Sequence, residues 1–346
     1  MAEEPTIPTP APRLLPWHEN AAEQLRAAWA AARLPHALLI QGADGLGKRE
    51  LASWLAAAVL CEMSQASLQY CGKCTSCALI AAGSHPDRMW IRPEEDKQQI
   101  SVDQTRAASE RLSKTSYRQG YKIAIIEPAH QMTGSAANSV LKTLEEPTRE
   151  SLLILVTSRP SSLLPTVRSR CQKVTVRRPS SVEALQWLQT QTGAAIEPQV
   201  LEFAGGAPLR ALEFATGRFG ELNAVMQRSL GQLLAGQSDV TQVATEWGKE
   251  ELPQRLTWLD LWLMSAAREA IGGSADLFTF PGRSAHLPTL PQTLNISALY
   301  SMVDRVRALK AQLTRTALQR ELAIESLLIA LLQTLAPAAA VGEGGR

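Results

Sequence analysis

The sequence predicts an α/β module in its first half and an all-helical second half. Three observations carry this. A glycine-rich turn, Gly42–Gly47, lies between an apolar strand pattern, Ala37–Gln41, and an alanine- and leucine-rich helix opened by Lys48. Four further strand patterns follow, Arg88–Arg92, Tyr121–Ile126, Leu152–Val156 and Lys173–Arg177, with helical stretches between them. Beyond Gly217 the strand signal ends.

With 346 residues, of which 45% are hydrophobic and 20% charged, the chain has an ordinary globular balance and room for two or three domains. The formal net charge of +2 excludes a global basic field, so any nucleic-acid contact must come from a local patch. No apolar run approaches the roughly 18–20 residues of a membrane span. The start, MAEEPTIPTPAPR, is proline-rich with no hydrophobic segment to serve as a signal peptide. Residues 1–15 and 337–346 are expected to be flexible tails. The expectation is a soluble cytoplasmic protein with no membrane contact. Its five cysteines are then expected as metal ligands or free thiols, not disulfides.

In chain order, Trp17, Ala21, Leu25, Ala28, Trp29 and Ala32 recur at helical spacing, which predicts a helix over Pro16–Arg33. The next stretch reads strand, G-x-x-x-x-G-K turn, helix, which is the context of a phosphate loop. Gly42, Gly45 and Gly47 would let backbone N–H groups turn inward on an anion, and the helix N-terminus and Lys48 would add positive potential. The next residue is Arg49, where an active loop has a Ser or Thr hydroxyl for Mg²⁺. The loop can cradle a phosphate, but its metal ligand is missing. Occupancy by ATP or ADP stays open.

Cys61, Cys71, Cys74 and Cys77 follow, three of them in CGKCTSC. Two-residue gaps let consecutive thiolates face one centre, and four sulfurs suit a tetrahedral Zn²⁺ with no open position, a structural staple. An iron–sulfur cluster competes, but the bacterial ferredoxin run needs a fourth cysteine beside a proline downstream. Unliganded thiols are the third reading. In GSHPD, His85 and Asp87 invite a catalytic reading, against which stands a rigid His-Pro-Asp turn. A helix is predicted over Lys97–Ser113 with Ser101 as a cap. Arg106, Arg111, Lys114, Arg118 and Lys122 on and after it read as a DNA-backbone face or as a solvated face.

The strand Tyr121–Ile126 runs into Glu127-Pro128. In phosphate-loop ATPases this strand ends in an acidic residue for Mg²⁺, often followed by a Glu that orients water. Pro128 has no carboxylate, a second and separate defect. A helix, Gly134–Glu146, is stopped by Pro147. The strand Leu152–Val156 ends at Thr157, a further candidate nucleotide contact, and Leu163–Cys171 leads to the last strand.

These residues resemble the delta-prime family of bacterial DNA polymerase III clamp-loader subunits. The resemblance rests on the phosphate loop and its helix ending at Cys61, on Cys71–Cys77 with Gly83–Asp87, on ANSVLKTLEEP (Ala137–Pro147) and on the SRC motif, Ser169-Arg170-Cys171. The gamma/tau relatives should keep a Ser or Thr after the lysine and an Asp-Glu pair in the second motif. Arg49 and Glu127-Pro128 favour delta-prime. The resemblance implies an AAA+ module over 16–178, with a parallel five-stranded sheet and an inserted four-cysteine zinc module at 61–77. It implies a helical lid over 179–217 and a helical collar for oligomerisation over 218–336. Arg210 sits where the family's lid often carries a nucleotide-sensing arginine; taken alone it reads as a surface arginine.

The second half agrees on its own terms. Ser180 or Ser181 can cap a helix through Gln191. Val200–Ala204, Ala207–Thr216, Leu222–Ala235, Val243–Lys249, Leu252–Ile271, Ile296–Leu313 and Thr316–Leu335 read as helices, and Gly272–Leu294 as a loop. The last helix is apolar on most sides, with Leu318, Leu322, Ile324, Leu327, Leu328, Leu331, Leu332 and Leu335, and is expected to be buried, either in its own domain or against neighbouring subunits.

By resemblance, the function is that of a clamp-loader subunit that does not itself hydrolyse ATP. Its partners would be gamma/tau and delta, the sliding clamp, and primer-template DNA within the complex. Arg170 would act in trans as an arginine finger at a neighbouring gamma/tau ATP site. The isolated chain is expected to have no activity, as a component of a polymerase holoenzyme. An ATP-hydrolysing subunit of gamma/tau type is the alternative, opposed by Arg49 and Pro128. A zinc-stapled DNA-binding module is a third reading, opposed by the near-neutral charge.

Overall fold

The computed structural model describes residues 12–63, 67–95, 97–118, 120–196, 198–217, 219–249, 251–270, 296–313 and 320–335. Two compact units divide the chain, the first running to Glu183 and the second from Ala184.

The first unit opens with a 3₁₀ turn, Pro16–His18, then α1 (Glu19–Ala30). The predicted single helix is thus split, because Pro16 opens a tight turn before α1 begins. Next come β1 (Ala37–Gln41), α2 (Lys48–Leu60), α3 (Thr75–Ala81) and β2 (Arg88–Ile91). Helix α4 spans Val102–Ser113, not Lys97–Ser113. Its start is fixed by Ser101, whose hydroxyl accepts from the Gln104 N–H while the Gln104 side chain accepts from the Ser101 N–H. Then follow β3 (Lys122–Ile126), α5 (Gly134–Ser139), α6 (Leu141–Glu145), β4 (Ser151–Thr157), α7 (Pro165–Arg170) and β5 (Gln172–Thr175). The helix expected over Gly134–Glu146 is therefore two pieces. At the break the Ser139 hydroxyl donates to the Ala136 carbonyl at 2.8 Å, competing with the helical ladder.

The five strands form one parallel sheet in the order β2-β3-β4-β1-β5. Every residue of β3 and β4 is buried, which is why these strands read as continuous Ile/Leu/Val runs and not as alternating ones. Strand β1 lies between β4 and β5, with Leu39 opposite Leu155 on one side and Lys173 on the other. After β1 the chain crosses to the far edge and returns, and β5 is then added on the other side. Such a switch of direction leaves a crevice at the carboxyl ends of the strands, where α/β sheets take ligands. The glycine turn after Gln41 opens there.

The second unit is helical throughout its described residues. Helix α8 (Ser181–Thr192) begins at the junction, where Ser180 is the cap, its hydroxyl accepting from the Glu183 N–H. There follow α9 (Pro198–Phe203), α10 (Pro208–Thr216), α11 (Phe219–Leu234), α12 (Val240–Lys249), α13 (Leu252–Ala270), α14 (Ile296–Leu313) and α15 (Arg320–Leu335). The loop expected over Gly272–Leu294 lies outside the described residues, as does Leu318. The core gathers Met226, Leu230, Trp247, Trp258, Leu259, Val303, Val306, Ile324, Leu328 and Leu331. Both tryptophans keep a partner for the indole N–H. Trp247 donates to Ser229 Oγ at 3.0 Å and Trp258 to Asn223 Oδ1 at 2.8 Å. Helix α15 is less enclosed than its composition suggests: Leu322 and Ile329, seven residues apart on one face, are exposed at 59% and 44%.

Candidate functional site

The turn after β1 is shaped by its glycines. Gly42, Gly45 and Gly47 all have positive φ, at 155°, 75° and 79°. A Cβ on Gly42 would sit 2.6 Å from the Val176 carbonyl oxygen, and one on Gly47 would sit 2.4 Å from Leu15 Cδ1 and 3.0 Å from His18. The turn is clamped from behind. The Leu46 carbonyl accepts from the Trp17 indole and the His18 Nε2, each at 2.9 Å, while His18 Nδ1 accepts from the Leu15 N–H at 3.3 Å. His18 is fully buried, and that burial pushes its pKa down to about 4, so the ring is neutral.

Lys48 opens α2, as the motif requires, and is itself buried. Its ammonium donates to the Ala43 carbonyl at 2.7 Å and lies 3.6 Å from Asp44 Oδ1. Burial lowers its pKa and Asp44 works against that. The lysine is therefore folded onto its own loop.

One residue on, Arg49 Nε reaches both oxygens of Glu127 at 2.9 Å. Glu127 also accepts from Arg92 at 3.1 Å and from the Trp90 indole at 3.0 Å. The register explains the meeting: Ile91 pairs with Ile126, so the ends of β2 and β3 deliver Arg92 and Glu127 side by side. The Arg92 guanidinium also lies over the Trp90 ring, 4.7 Å from its centroid. The first departure, Arg49, thus also engages the acidic residue that precedes the second, Pro128, whose missing carboxylate remains a separate defect. The carboxylate that would serve Mg²⁺ is already neutralised by the residue that replaces the hydroxyl ligand.

Thr157, the last residue of β4 and fully buried, lies opposite Gln41 in the sheet. Its hydroxyl accepts from the Arg159 N–H and meets His130 Nδ1, both at 3.0 Å. Burial lowers the His130 pKa, helped by Arg159. Sequence reasoning passed over His130, as it did Trp90, Arg92 and His18, because nothing local marks them.

The four cysteines converge. Their sulfurs all lie within 4.8 Å of one another, with Cys61–Cys74 at 4.0 Å and Cys71–Cys77 at 3.7 Å. These separations exclude disulfides, whose sulfurs are about 2.05 Å apart. They match the roughly 3.8 Å edge of a tetrahedron built on a 2.3 Å Zn–S bond. Cys71 Sγ accepts from the N–H groups of Lys73 and Cys74, and Cys74 Sγ from that of Cys77, each at 3.4 Å. Such donors favour the thiolate and hold Cys71 down at about 6, while burial pushes Cys61 and Cys77 up. The donor set and its spacing fit a structural zinc ion.

His85 and Asp87 do structural duty. Asp87 accepts from the Tyr117 N–H at 2.8 Å and the Arg118 N–H at 3.1 Å, and its own N–H donates to His85 Nδ1 at 3.2 Å. The basic residues around α4 are engaged within the chain. Arg118 pairs with Glu62 at 2.8 Å, Lys114 with Glu110 at 2.8 Å, and Arg106 with Asp103 at 4.0 Å. Arg111 donates to the Pro86 carbonyl at 2.9 Å. Lys122 is buried on two carbonyls, those of Leu112 and Lys114, both at 2.7 Å.

Arg170 ends α7 and remains half-exposed. Its guanidinium meets Glu145 Oε1 at 2.7 Å and donates to the Thr166 carbonyl at 3.1 Å. The neighbouring Cys171 is buried, which pushes its thiol up to about 11. Arg210, in the second unit, lies over the Phe214 ring at 5.8 Å from its centroid.

Comparison with known proteins bears directly on this geometry. The family profile described as "DNA polymerase III, delta subunit" matches residues 17–180, and its C-terminal counterpart matches 223–333. The DNA polymerase III subunit delta' of Pseudomonas aeruginosa is 35% identical over 259 residues, covering 74% of this chain and 77% of that protein. The subunit delta' of Escherichia coli is 32% identical over 328 residues, covering 94% and 97%. The chain belongs to the DNA polymerase III delta-prime subunit family.

More distant similarity reaches the gamma/tau subunit of Mycobacterium tuberculosis, 29% identical over 65% of this chain and 40% of that protein. Among solved structures, a gamma subunit-related protein of Thermotoga maritima superposes with a TM-score of 0.46 at 18% identity, covering 91% of this chain and 99% of that one. Within the delta-prime family frame, the closed site at Arg49–Glu127 and the exposed Arg170 are the two features that need a functional account.

Proposed function

We propose that this delta-prime chain is the clamp-loader subunit that does not hydrolyse ATP and instead serves a neighbour's site. The observation that carries the reading is the Arg49–Glu127 pair. An ATPase needs that carboxylate for its metal ion and a second one to orient water. Here the first is bound to two guanidinium groups and the second position is Pro128.

In this reading residues 16–178 act as an AAA+ module, 179–217 as a lid and 218–336 as a collar that joins the ring. The partners are gamma/tau and delta, the sliding clamp, and primer-template DNA held by the assembled complex in the cytoplasm. Cys61, Cys71, Cys74 and Cys77 hold a structural zinc ion, which ties the end of α2 to the start of α3 and does no chemistry. Gly42, Gly45, Gly47, Lys48, Thr157 and Arg210 are the residues through which a nucleotide would be held, and service to a neighbour's site does not require one.

Arg170 supplies the chemistry. It sits at the last turn of α7, half-exposed, with a planar fork of donors that matches phosphate oxygens. Brought against the γ-phosphate of ATP on an adjacent gamma/tau subunit, it offsets the charge that builds on the transferring group. Such fingers contribute about 10³–10⁵ in rate where measured.

The test is the DNA-stimulated ATPase of a complex reconstituted with gamma/tau, delta and clamp, comparing wild type with Arg170→Ala. The expected result is a sharp fall in rate with normal assembly, the isolated chain being inactive throughout. An unchanged rate would remove Arg170 from the chemistry.

A further inference from the structure

Resting on that reading of Arg170, we infer that Glu145 is the positioning residue that holds the finger in its working orientation. Glu145 closes α6, within the stretch SVLKTLEEP. Its Oε1 lies 2.7 Å from one terminal nitrogen of Arg170, and the other terminal nitrogen donates to the Thr166 carbonyl at 3.1 Å.

Two anchors on two different elements fix the plane of the guanidinium. They use two of its five N–H groups and leave three for phosphate oxygens. Arg168, two residues earlier, donates instead to the Pro160 carbonyl at 3.3 Å, on the loop just before its own helix. Of the two arginines in this turn, Arg170 is the one bridged to α6.

The bridge is set by the core. Leu144, Val167 and Cys171 are buried in the same apolar cluster, so α6 and α7 share packing directly beneath the pair. The carbonyl of Leu144, next to Glu145, lies 3.1 Å from His36 Nε2, which ties this end of α6 to the start of β1. Glu145 therefore stands on a fixed base. Arg170, by contrast, has a long side chain at the end of a six-residue helix. Without a partner it would sample several rotamers, and ordering them would fall on the transition state. Because the carboxylate engages a single terminal nitrogen in a half-exposed pair, the rest of the fork stays available to a phosphate.

The test uses the same reconstituted complex, with Glu145→Ala, Glu145→Gln, Arg170→Ala and the double variant. Glu145→Ala is expected to lower kcat at the affected site by about 2- to 10-fold with KM for ATP unchanged, the effect of losing one ordered side chain. Glu145→Gln keeps the acceptor and is expected to recover at least half of that loss. In the Arg170→Ala background, Glu145→Ala is expected to cost nothing more, because it acts through Arg170 alone. A rate unchanged or raised by Glu145→Ala, or an equal further loss in the double variant, overturns the positioning role while leaving the finger in place. If Arg170→Ala itself has no effect, the finger and its positioning residue fall together. Gel filtration of each variant complex separates these results from failed assembly.

Discussion

The Nε atom of Arg49 lies 2.9 Å from both carboxylate oxygens of Glu127, across 78 residues of sequence. A permanent cation of the chain itself occupies the attention of a carboxylate that an ATPase would offer to a metal ion. Freeing that carboxylate should still not create an enzyme.

Arg49→Thr restores the missing hydroxyl, but Arg92 and Trp90 remain on Glu127 and Pro128 still offers no carboxylate. The variant is expected to stay at background in a steady-state ATPase assay of the isolated chain. Magnesium-dependent turnover above wild type would falsify this account of the closed site.

The two partners of the pair should differ in their cost. Glu127 is largely enclosed, with side-chain exposure of 12%, and serves Arg49, Arg92 and Trp90, whereas the Arg49 side chain is 43% exposed. Glu127→Ala leaves the enclosed Arg92 without its counter-charge and is expected to lose about 3 kcal/mol. Arg49→Ala removes one exposed arm and is expected to lose about 1 kcal/mol or less. Urea midpoints of the two variants, at equal slope, check the ranking.

His18 predicts an acid limb in the stability curve. Its pKa is about 4 in the folded chain against the ordinary 6.5, because burial disfavours the charged ring. Between those values the unfolded state binds more protons, so the stability it contributes is full above pH 6.5 and is lost as pH falls toward 4. The loss from this group amounts to about 3 kcal/mol. Urea unfolding of wild type and His18→Gln at pH 7, 5.5 and 4.5 should show a steeper acid decline in wild type. Parallel declines would assign the effect to other groups.

The cysteine cluster predicts one zinc per chain by elemental analysis. Cys74→Ser removes a sulfur ligand while its hydroxyl can still accept from the Cys77 N–H, so a loss reports on the metal and not on the helix cap. It should abolish stoichiometric zinc and lower the thermal midpoint, and a strong chelator should lower that of wild type in the same way. Pure protein without zinc would leave the four sulfurs as packed thiols.

Gly47→Ala meets both a φ of 79° and a Cβ position 2.4 Å from Leu15 Cδ1. It is expected to destabilise by about 1–3 kcal/mol, through backbone strain and displacement of the N-terminal clasp. Gly134→Ala, where an added Cβ meets open space, should be near neutral and serves as the control.

How much of this was legible in the sequence varied with the range of the interaction that decides it. The central strands were legible because burial on both faces writes itself as a run such as LLILV at Leu152–Val156. The Ser101 cap was legible because a capping box closes within three residues. The cysteine cluster was legible because its spacing is itself the signal. The coupling of Arg49 to Glu127 was not, since it depends on a sheet that brings the ends of β2 and β3 together beneath α2. The basic residues around α4 left a DNA-backbone face and a solvated face both open, because two of the partners, Glu62 for Arg118 and the Pro86 carbonyl for Arg111, lie far off in sequence. The apolar length of α15 called for burial in its own domain or against neighbouring subunits, and in the chain by itself Leu322 and Ile329 face outward. Composition reports how apolar a helix is, whereas its orientation is set by what packs on it.

Helix α2 begins at Lys48 and ends against Cys61. Thirteen residues make it a rod roughly 20 Å long, with eleven of them buried. A rod so enclosed has little freedom to bend, so its two ends share one mechanical fate. The cysteine cluster and the glycine turn are thus joined through one helix. Trp54 lies near the middle of that rod, with the Arg26 guanidinium 5.4 Å from its ring centroid. With the other seven tryptophans replaced, the emission of that one indole would report on the packing of the helix between the four cysteines and the glycine turn.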